Sequence, residues 1–101
     1  MNATTASDSS QEGEVTVRYW ASVRAAQGRA DERVSVPAEG ITVADLLLRI
    51  TDGREPRVAQ VVGACSLLLD ETAVHADRLD ETGVRPGAVV DLLPPFAGGA
   101  T

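Results

Sequence analysis

The pattern of apolar and polar residues predicts a β-strand near the start of the folded part of the chain. Between residues 15 and 20 the two kinds of residue alternate with a period of two, so each kind lies on its own face of the strand. Arg18 and Trp20 lie on one face. The other face is apolar, and we expect it to be buried; it consists of Val15, Val17 and Tyr19.

A second strand is predicted to form a hairpin with the first. A polar loop that contains Gly28 separates the two. Val34 and Val36 then alternate around Ser35, and Pro37 ends the run because proline has no N–H for a strand ladder.

Apolar residues with a helical period follow the second strand. Thr42 can cap the first turn, and Asp45 completes a weak capping box. The buried stripe of this helix has the spacing i, i+3, i+4, i+7 and consists of Val43, Leu46, Leu47 and Ile50. We expect Gly53 to end the helix. A shorter helix is predicted over residues 56–62, ended by Gly63, although the valines there also suit a strand.

The remaining strands are predicted from short apolar runs bounded by turn residues. Residues 66–69 form a third strand, residues 70–72 a turn and residues 73–76 an edge strand. Residues 85–88 have proline second and glycine third, as a type II turn requires. Residues 89–93 form the last strand, which has two different faces. Val90 and Leu92 share one face, and the other consists of Val89, Asp91 and Leu93.

Two strands, a helix and three more strands predict a two-layer α+β domain, because one helix covers only one face of such a sheet. With the first and last strands side by side at the centre, the fold is a β-grasp, a mixed sheet of four to five strands packed on one main helix. We expect this domain at residues 15–93. Residues 1–14 are polar and read as a disordered arm, and residues 94–101 as a flexible tail.

Composition narrows the classes of function. The 101-residue chain has a net charge of −6, which argues against nucleic acid and against anionic membranes as partners. Residues 1–14 contain no apolar run, so we expect neither a signal peptide nor a membrane span. The only cysteine, Cys65, excludes an internal disulfide and permits the cytoplasmic location that we expect. We predict Cys65 in the core and His75 on the surface, with no catalytic constellation and no metal site.

The C-terminal tail carries the most specific pattern, Pro94-Pro95-Phe96-Ala97-Gly98-Gly99, followed by Ala100-Thr101. Two adjacent glycines make the backbone thin enough to enter a channel that a side chain would block. The two prolines favour an extended path. Six extended residues span roughly 20 Å at about 3.3 Å each. The tail therefore suits insertion into the active site of another protein, although an ordinary flexible end is the plainer alternative.

Together, the strand order and the tail resemble the β-grasp sulfur carriers of the ThiS/MoaD kind, and among them the small subunit of molybdopterin synthase. The resemblance covers residues 15–99 and lies in segments 17–24, 42–46, 69–74 and 90–99. Most of it is generic patterning. The Pro-Pro-x-Ala-Gly-Gly string after a terminal strand is its specific part.

That resemblance implies a carrier that has no catalytic residues and binds no cofactor. A ubiquitin-activating-type adenylyltransferase would use ATP to convert the carboxylate of Gly99 into an acyl adenylate, and a sulfur donor would replace AMP to leave a thiocarboxylate. The tail would then deliver sulfur to the large subunit of molybdopterin synthase. The expected partner interface comprises Arg18, Trp20, Arg24, Val89, Asp91, Leu93 and Phe96.

Two positions depart from the family pattern. Asp70 stands where asparagine is more usual, and Ala100-Thr101 follows the second glycine. A terminal β-branched threonine would clash in a channel shaped for glycine, so we expect a peptidase to cleave between Gly99 and Ala100. Other readings are a sulfur carrier for thiamine, cysteine or another metabolite, a ubiquitin-like protein modifier joined through Gly99, and a β-grasp binding module whose tail does no chemistry.

Overall fold

The computed structural model describes residues 12–94, which contain seven strands and three α-helices. The strands are β1 (Glu12–Tyr19), β2 (Asp31–Pro37), β3 (Ile41–Thr42), β4 (Ser66–Leu69), β5 (Thr72–Val74), β6 (Gly83–Val84) and β7 (Val89–Leu93). The helices are α1 (Ala21–Gln27), α2 (Val43–Thr51) and α3 (Pro56–Gly63), and a 3₁₀ turn spans Ala76–Arg78. Within this part of the chain, no helix is long and apolar enough to cross a membrane.

Five of the strands form one mixed sheet in the spatial order β2-β1-β7-β4-β5. The first and last strands, β1 and β7, pair in parallel, whereas all the other pairs of this sheet are antiparallel. The short strands β3 and β6 pair separately. This is the β-grasp arrangement that the sequence predicts, with the first and last strands side by side.

The core lies between the helices and one face of the sheet. Alternate residues of β1 and β7 point into it, as the period of two predicts. Helix α2 contributes three buried residues to the core, and its partly buried Leu47 packs against that core. The largest fully buried side chains are Val15, Val17, Tyr19, Val23, Val36, Val43, Leu46, Ile50, Val84, Val90 and Leu92. The predicted apolar faces of the first strand, the last strand and the main helix are therefore confirmed.

The predicted helix ends and turns are also present. The Oγ1 of Thr42 accepts the N–H of Asp45 at 3.1 Å, which caps α2. Gly53 has φ +74°, the left-handed conformation expected just beyond a helix end. Residues 56–63 are helical, so the strand alternative is wrong there. The amide of Ala88 donates to the carbonyl of Arg85 at 3.1 Å, closing the predicted turn.

The β4–β5 hairpin differs slightly from its prediction. Asp70 and Glu71 both have positive φ, so they alone form the turn, and Leu69 pairs directly with Thr72. The edge strand is accordingly β5 at residues 72–74 instead of 73–76. Its end is set by the 3₁₀ turn that begins at Ala76.

Residues 21–27 form helix α1, where the sequence predicted a polar loop. Val23 and Gln27 are buried at a spacing of i, i+4, and Gly28 ends the helix at φ +78°. The amide of Gln27 donates to the carbonyl of Ile50 at 3.1 Å, and its oxygen accepts from Arg54 at 2.7 Å. The helix was not predicted because one of its two buried residues is a polar glutamine, so the sequence shows no apolar period there. The burial of Gln27 depends on Ile50 and Arg54, which are distant in sequence.

Strand β1 begins at Glu12 instead of Val15, so residues 12–14 belong to the sheet and not to the predicted arm. Gly13 explains the error. A Cβ added to Gly13 would overlap the Cβ of Pro86, so glycine occupies an inward position where an apolar side chain would otherwise mark the strand. Residues 1–11, the rest of the predicted arm, lie outside the described residues.

We predict that Gly13→Ala destabilises the protein by about 1–3 kcal/mol, the usual cost of overpacking a well-packed site. Gly63→Ala is the matched control, since Gly63 is helical and nothing lies within 4 Å of an added Cβ. That change should raise stability by about 0.5–1 kcal/mol. Urea denaturation of the two variants measures both effects. Equal stabilities of the two variants would contradict the close approach of Pro86.

Candidate functional site

The face of the sheet that points away from the core carries the candidate site. Strand residues that alternate with the core positions lie on this face, which we call the outer face. On β1 and β7 the register pairs Thr16 with Val89 and Arg18 with Asp91. On β4 the register places Leu68 beside Asp91 and Ser66 beside Leu93. The structure therefore brings together four predicted interface residues, Arg18, Val89, Asp91 and Leu93, and sets Trp20 immediately after β1.

Arg18 and Asp91 form a two-pronged ion pair across the central strands. The Nε of Arg18 lies 2.7 Å from Oδ1 of Asp91, and its Nη2 lies 2.9 Å from Oδ2. This geometry is the strong fork-to-carboxylate form of a charge-assisted hydrogen bond. The hydrogen bond from Arg18 lowers the pKa of Asp91, and the same contact raises the pKa of Arg18. The carboxylate of Asp91 is therefore held in its charged form.

Trp20 completes this cluster at the end of β1. Its Nε1–H donates to Oδ1 of Asp91 at 2.9 Å, and the guanidinium carbon of Arg18 lies 5.8 Å from the ring centroid. Its backbone N–H donates to the carbonyl of Leu92 at 3.1 Å, extending the β1–β7 ladder. Trp20 nevertheless stays 46% exposed. An aromatic side chain that is both fixed and exposed is a candidate anchor for a partner protein.

Asp91 is buried beneath the surface of the outer face. We expected it among exposed interface residues, but only 4% of it is exposed, beneath Arg18 and Trp20. The alternation of β7 correctly placed Asp91 on the outer face. The sequence signal for a buried ion pair was the position of Asp91. It is the charged residue in an otherwise apolar strand, and Arg18 lies opposite it on the neighbouring strand β1.

The strand that leads into the tail is paired on both sides close to its end. Leu92 lies beside Tyr19 of β1 and beside Leu67 of β4. Leu93 still pairs with Ser66, and Pro94 is the last described residue. The predicted tail, attachment and cleavage positions lie outside the described residues and stay predictions; they are Pro95, Phe96, Ala97, Gly98, Gly99 and Ala100.

Arg24, which the resemblance predicts in the partner interface, lies on helix α1 and is exposed. His75 is exposed just after β5.

Cys65 is half-buried against the core, and its S–H donates to the carbonyl of Val61 at 3.0 Å. Burial raises the pKa of the Cys65 thiol to about 11, which keeps it protonated near neutral pH and so poorly nucleophilic.

Asp70 has an identifiable structural role. Its Oδ1 accepts the backbone N–H of Val89 at 2.9 Å, while its own N–H donates to the carbonyl of Val89 at 2.8 Å. The turn between β4 and β5 is thereby tied to the start of β7. The amide oxygen of asparagine can accept the same bond, so the carboxylate preserves the contact that the more usual residue would make.

Within residues 12–94, no group of three or more histidine, cysteine, aspartate or glutamate residues is arranged to hold a metal ion. The described part of the outer face instead offers an exposed aromatic ring, a guanidinium group and half-buried apolar side chains beside the root of the tail. Such an arrangement can bind the surface of another protein and orient the tail that follows β7.

Solved structures of other proteins share this fold. The small archaeal modifier protein 1 of Methanosarcina acetivorans superposes with a TM-score of 0.65 at 24% identity, over 87% of this chain and 98% of that one. A complex of subunits 1 and 2 of the molybdopterin-converting factor from Helicobacter pylori gives a TM-score of 0.51 at 21% identity, over 85% of this chain and 99% of that one. These likenesses confirm the β-grasp fold.

Sequence comparison adds the family. The molybdopterin synthase sulfur carrier subunit of Mycosarcoma maydis is 31% identical over 86 residues, which are 84% of this chain and 92% of that protein. The ThiS family matches residues 17–99, from the middle of β1 to the second glycine of the tail. The chain therefore belongs to the ThiS family of β-grasp sulfur carriers.

Proposed function

We propose that this sulfur carrier is the small subunit of a molybdopterin synthase and is loaded with sulfur at Gly99. The observation that carries the proposal is the direct continuation of β7 into the Pro-Pro-Phe-Ala-Gly-Gly string, from a strand paired on both sides. The 31% identity to a sulfur carrier subunit of that enzyme supports the choice of pathway.

The chemistry begins with activation of a carboxylate, which is a poor acceptor because its oxygen leaves badly. A carboxylate oxygen of Gly99 attacks the α-phosphorus of ATP, pyrophosphate leaves, and an acyl adenylate forms. A donor of sulfur at the oxidation level of sulfide then attacks the acyl carbon, and AMP leaves. The product is a thiocarboxylate, a softer and stronger nucleophile than the carboxylate. The adenylyltransferase and the sulfur donor are partners of this chain in the proposal.

This chain's own contribution is to present the tail in a defined position. The outer face binds the partner, and β7 determines where the tail leaves the domain, so docking brings the start of the tail to the entrance of the partner's site. The subunit 1 and subunit 2 complex of the Helicobacter pylori protein supports a large subunit as this partner. Because activation consumes ATP, we place the reaction in the cytoplasm.

The two residues after Gly99 require a further step. Since Thr101 carries a β-branched side chain, we propose that a peptidase removes Ala100-Thr101 before loading. The chain is then a precursor whose active form ends at Gly99.

We predict that a chain ending at Gly99 forms a thiocarboxylate when it is incubated with ATP, the adenylyltransferase of its own organism and a sulfur donor. Intact mass spectrometry should show the replacement of one oxygen by sulfur. The chain ending at Thr101 is the matched control, and it should stay unmodified under the same conditions. If the Gly99 form yields neither an adenylate nor a thiocarboxylate, the carrier proposal fails.

The protein isolated from its own cells should end at Gly99. Its intact mass should be lower than that of the full sequence by the mass of Ala100-Thr101, because only the trimmed form fits a glycine-shaped channel. Retention of both residues in every active species would rule out the precursor step and leave the loading reaction to be assigned to Thr101.

We expect Trp20→Ala to weaken binding to the large subunit roughly 30-fold or more, which corresponds to about 2 kcal/mol for an aromatic anchor. Leu48→Ala is the matched control, because Trp20 and Leu48 are the exposed large hydrophobic residues of the described chain and Leu48 lies on α2, in the opposite layer. Isothermal titration calorimetry measures both affinities. A similar loss in the two variants, or a larger loss for Leu48→Ala, would place the interface elsewhere.

A further inference from the structure

A carboxylate is buried at the centre of the sheet, where apolar residues would be expected. Asp91 lies on β7, with β1 on one side and β4 on the other, and 4% of it is exposed. Burial of a charge costs several kcal/mol unless attraction and hydrogen bonds offset it. Its neighbours on the same face of β7, Val89 and Leu93, are apolar and half-buried. An apolar side chain therefore suits the outer face of this strand.

Stability alone does not account for the charge. Asp91 is fully paired, with two bonds from Arg18 and one from Trp20 at 2.7–2.9 Å. Even well-paired buried ion pairs are often replaced by apolar residues of similar size with no loss of stability, or with a gain. What a carboxylate does here that leucine cannot do is bind two different side chains in one fixed orientation.

The two side chains that Asp91 holds are both partly exposed. The side chain of Arg18 is 44% exposed, and Trp20 is 46% exposed. Oδ1 of Asp91 accepts from both of them, so the guanidinium and the indole converge on one oxygen and lie against each other. Trp20 is also tied through its backbone to Leu92, two residues before Pro94. The oriented pair therefore lies at the root of the tail.

Orientation before binding has a measurable consequence. Ordering a rotamer-rich side chain on association costs about 0.5–1.5 kcal/mol, and a side chain that is already fixed avoids that cost. An indole freed from Asp91 would have to be ordered again by each partner. Asp91 is too buried to make the contact itself, so any effect that it has on binding must pass through Trp20 and Arg18.

We propose that Asp91 is a positioning residue. Its buried carboxylate orients Trp20 and Arg18 on the outer face for docking of the large subunit, which receives sulfur from the tail. The inference rests on the proposed function, because it takes the large subunit as the protein that docks there. It adds that the fixed orientation of the indole, and not its exposed area alone, contributes to affinity.

Asp91→Leu removes the carboxylate and keeps a side chain of similar size on the outer face. Arg18 and Trp20 are both about half exposed, so water can solvate the groups that lose Asp91, and the protein should stay folded with a small change in melting temperature. The dissociation constant for the large subunit should increase roughly two- to tenfold, the cost of ordering one freed side chain. The rate of sulfur transfer at saturating large subunit should change less than the dissociation constant, because Asp91 acts on docking through Trp20 and Arg18.

The sole tryptophan provides a spectroscopic readout that a purely structural role would not predict. Trp20 is the only tryptophan of the chain, so the long-wavelength edge of the near-UV circular dichroism spectrum, where tyrosine does not absorb, reports how firmly the indole is fixed, and its fluorescence anisotropy reports the mobility of the indole. Asp91→Leu should reduce both signals. Asp91→Asn keeps an oxygen that can accept the indole N–H, so it should retain most of the tryptophan signal and lose less affinity than the leucine variant.

Asp52→Leu is the matched control, with the same change of charge and size at an exposed position after α2. It should leave the dissociation constant and the tryptophan signals unchanged. Failure of the wild-type chain to bind the large subunit overturns the proposed function. Wild-type binding that Asp91→Leu retains in full overturns the positioning role alone, as does weakened binding with unaltered tryptophan signals.

Discussion

The parallel pairing of β1 with β7 is the contact on which the rest of the molecule depends. It joins the two ends of the described chain at the centre of the sheet, so the last strand before the tail is flanked by β1 and β4. It also brings together Arg18 and Asp91, which are 73 residues apart in sequence. The proposed function needs a rigid support for the strand that leads into the tail, and this pairing supplies it.

The two faces of these strands have different roles. The inner face joins α2 and the other helices in an aliphatic core, which gives the domain its stability. The outer face is less apolar, and its central feature is a buried carboxylate bonded to two partly exposed side chains. Because burial of charge contributes little net stability, we propose that the outer face serves recognition of a partner. Separate faces allow one small sheet to serve both purposes.

Where residues act through their neighbours in sequence, the structure was predictable. The alternation in β1 and β7, the Thr42 cap of α2 and the turn ending at Ala88 depend on contacts within a few residues, and all of them are present. Helix α1 was missed because its buried residues are Val23 and Gln27, and a polar glutamine at the second buried position leaves no apolar period in the sequence. The start of β1 was missed because Gly13 has no side chain to reveal its inward position.

The sequence by itself determined the β-grasp pattern, the family resemblance and the position of the glycine tail, because periodicity and turn chemistry are local properties that can be read along the chain. Only the tertiary structure decided that Asp91 is buried and that it binds Arg18 and Trp20 together. The burial of Gln27 against Ile50 and Arg54 was decided in the same way. These contacts depend on the register between strands and on helix packing, which join residues that lie far apart in sequence.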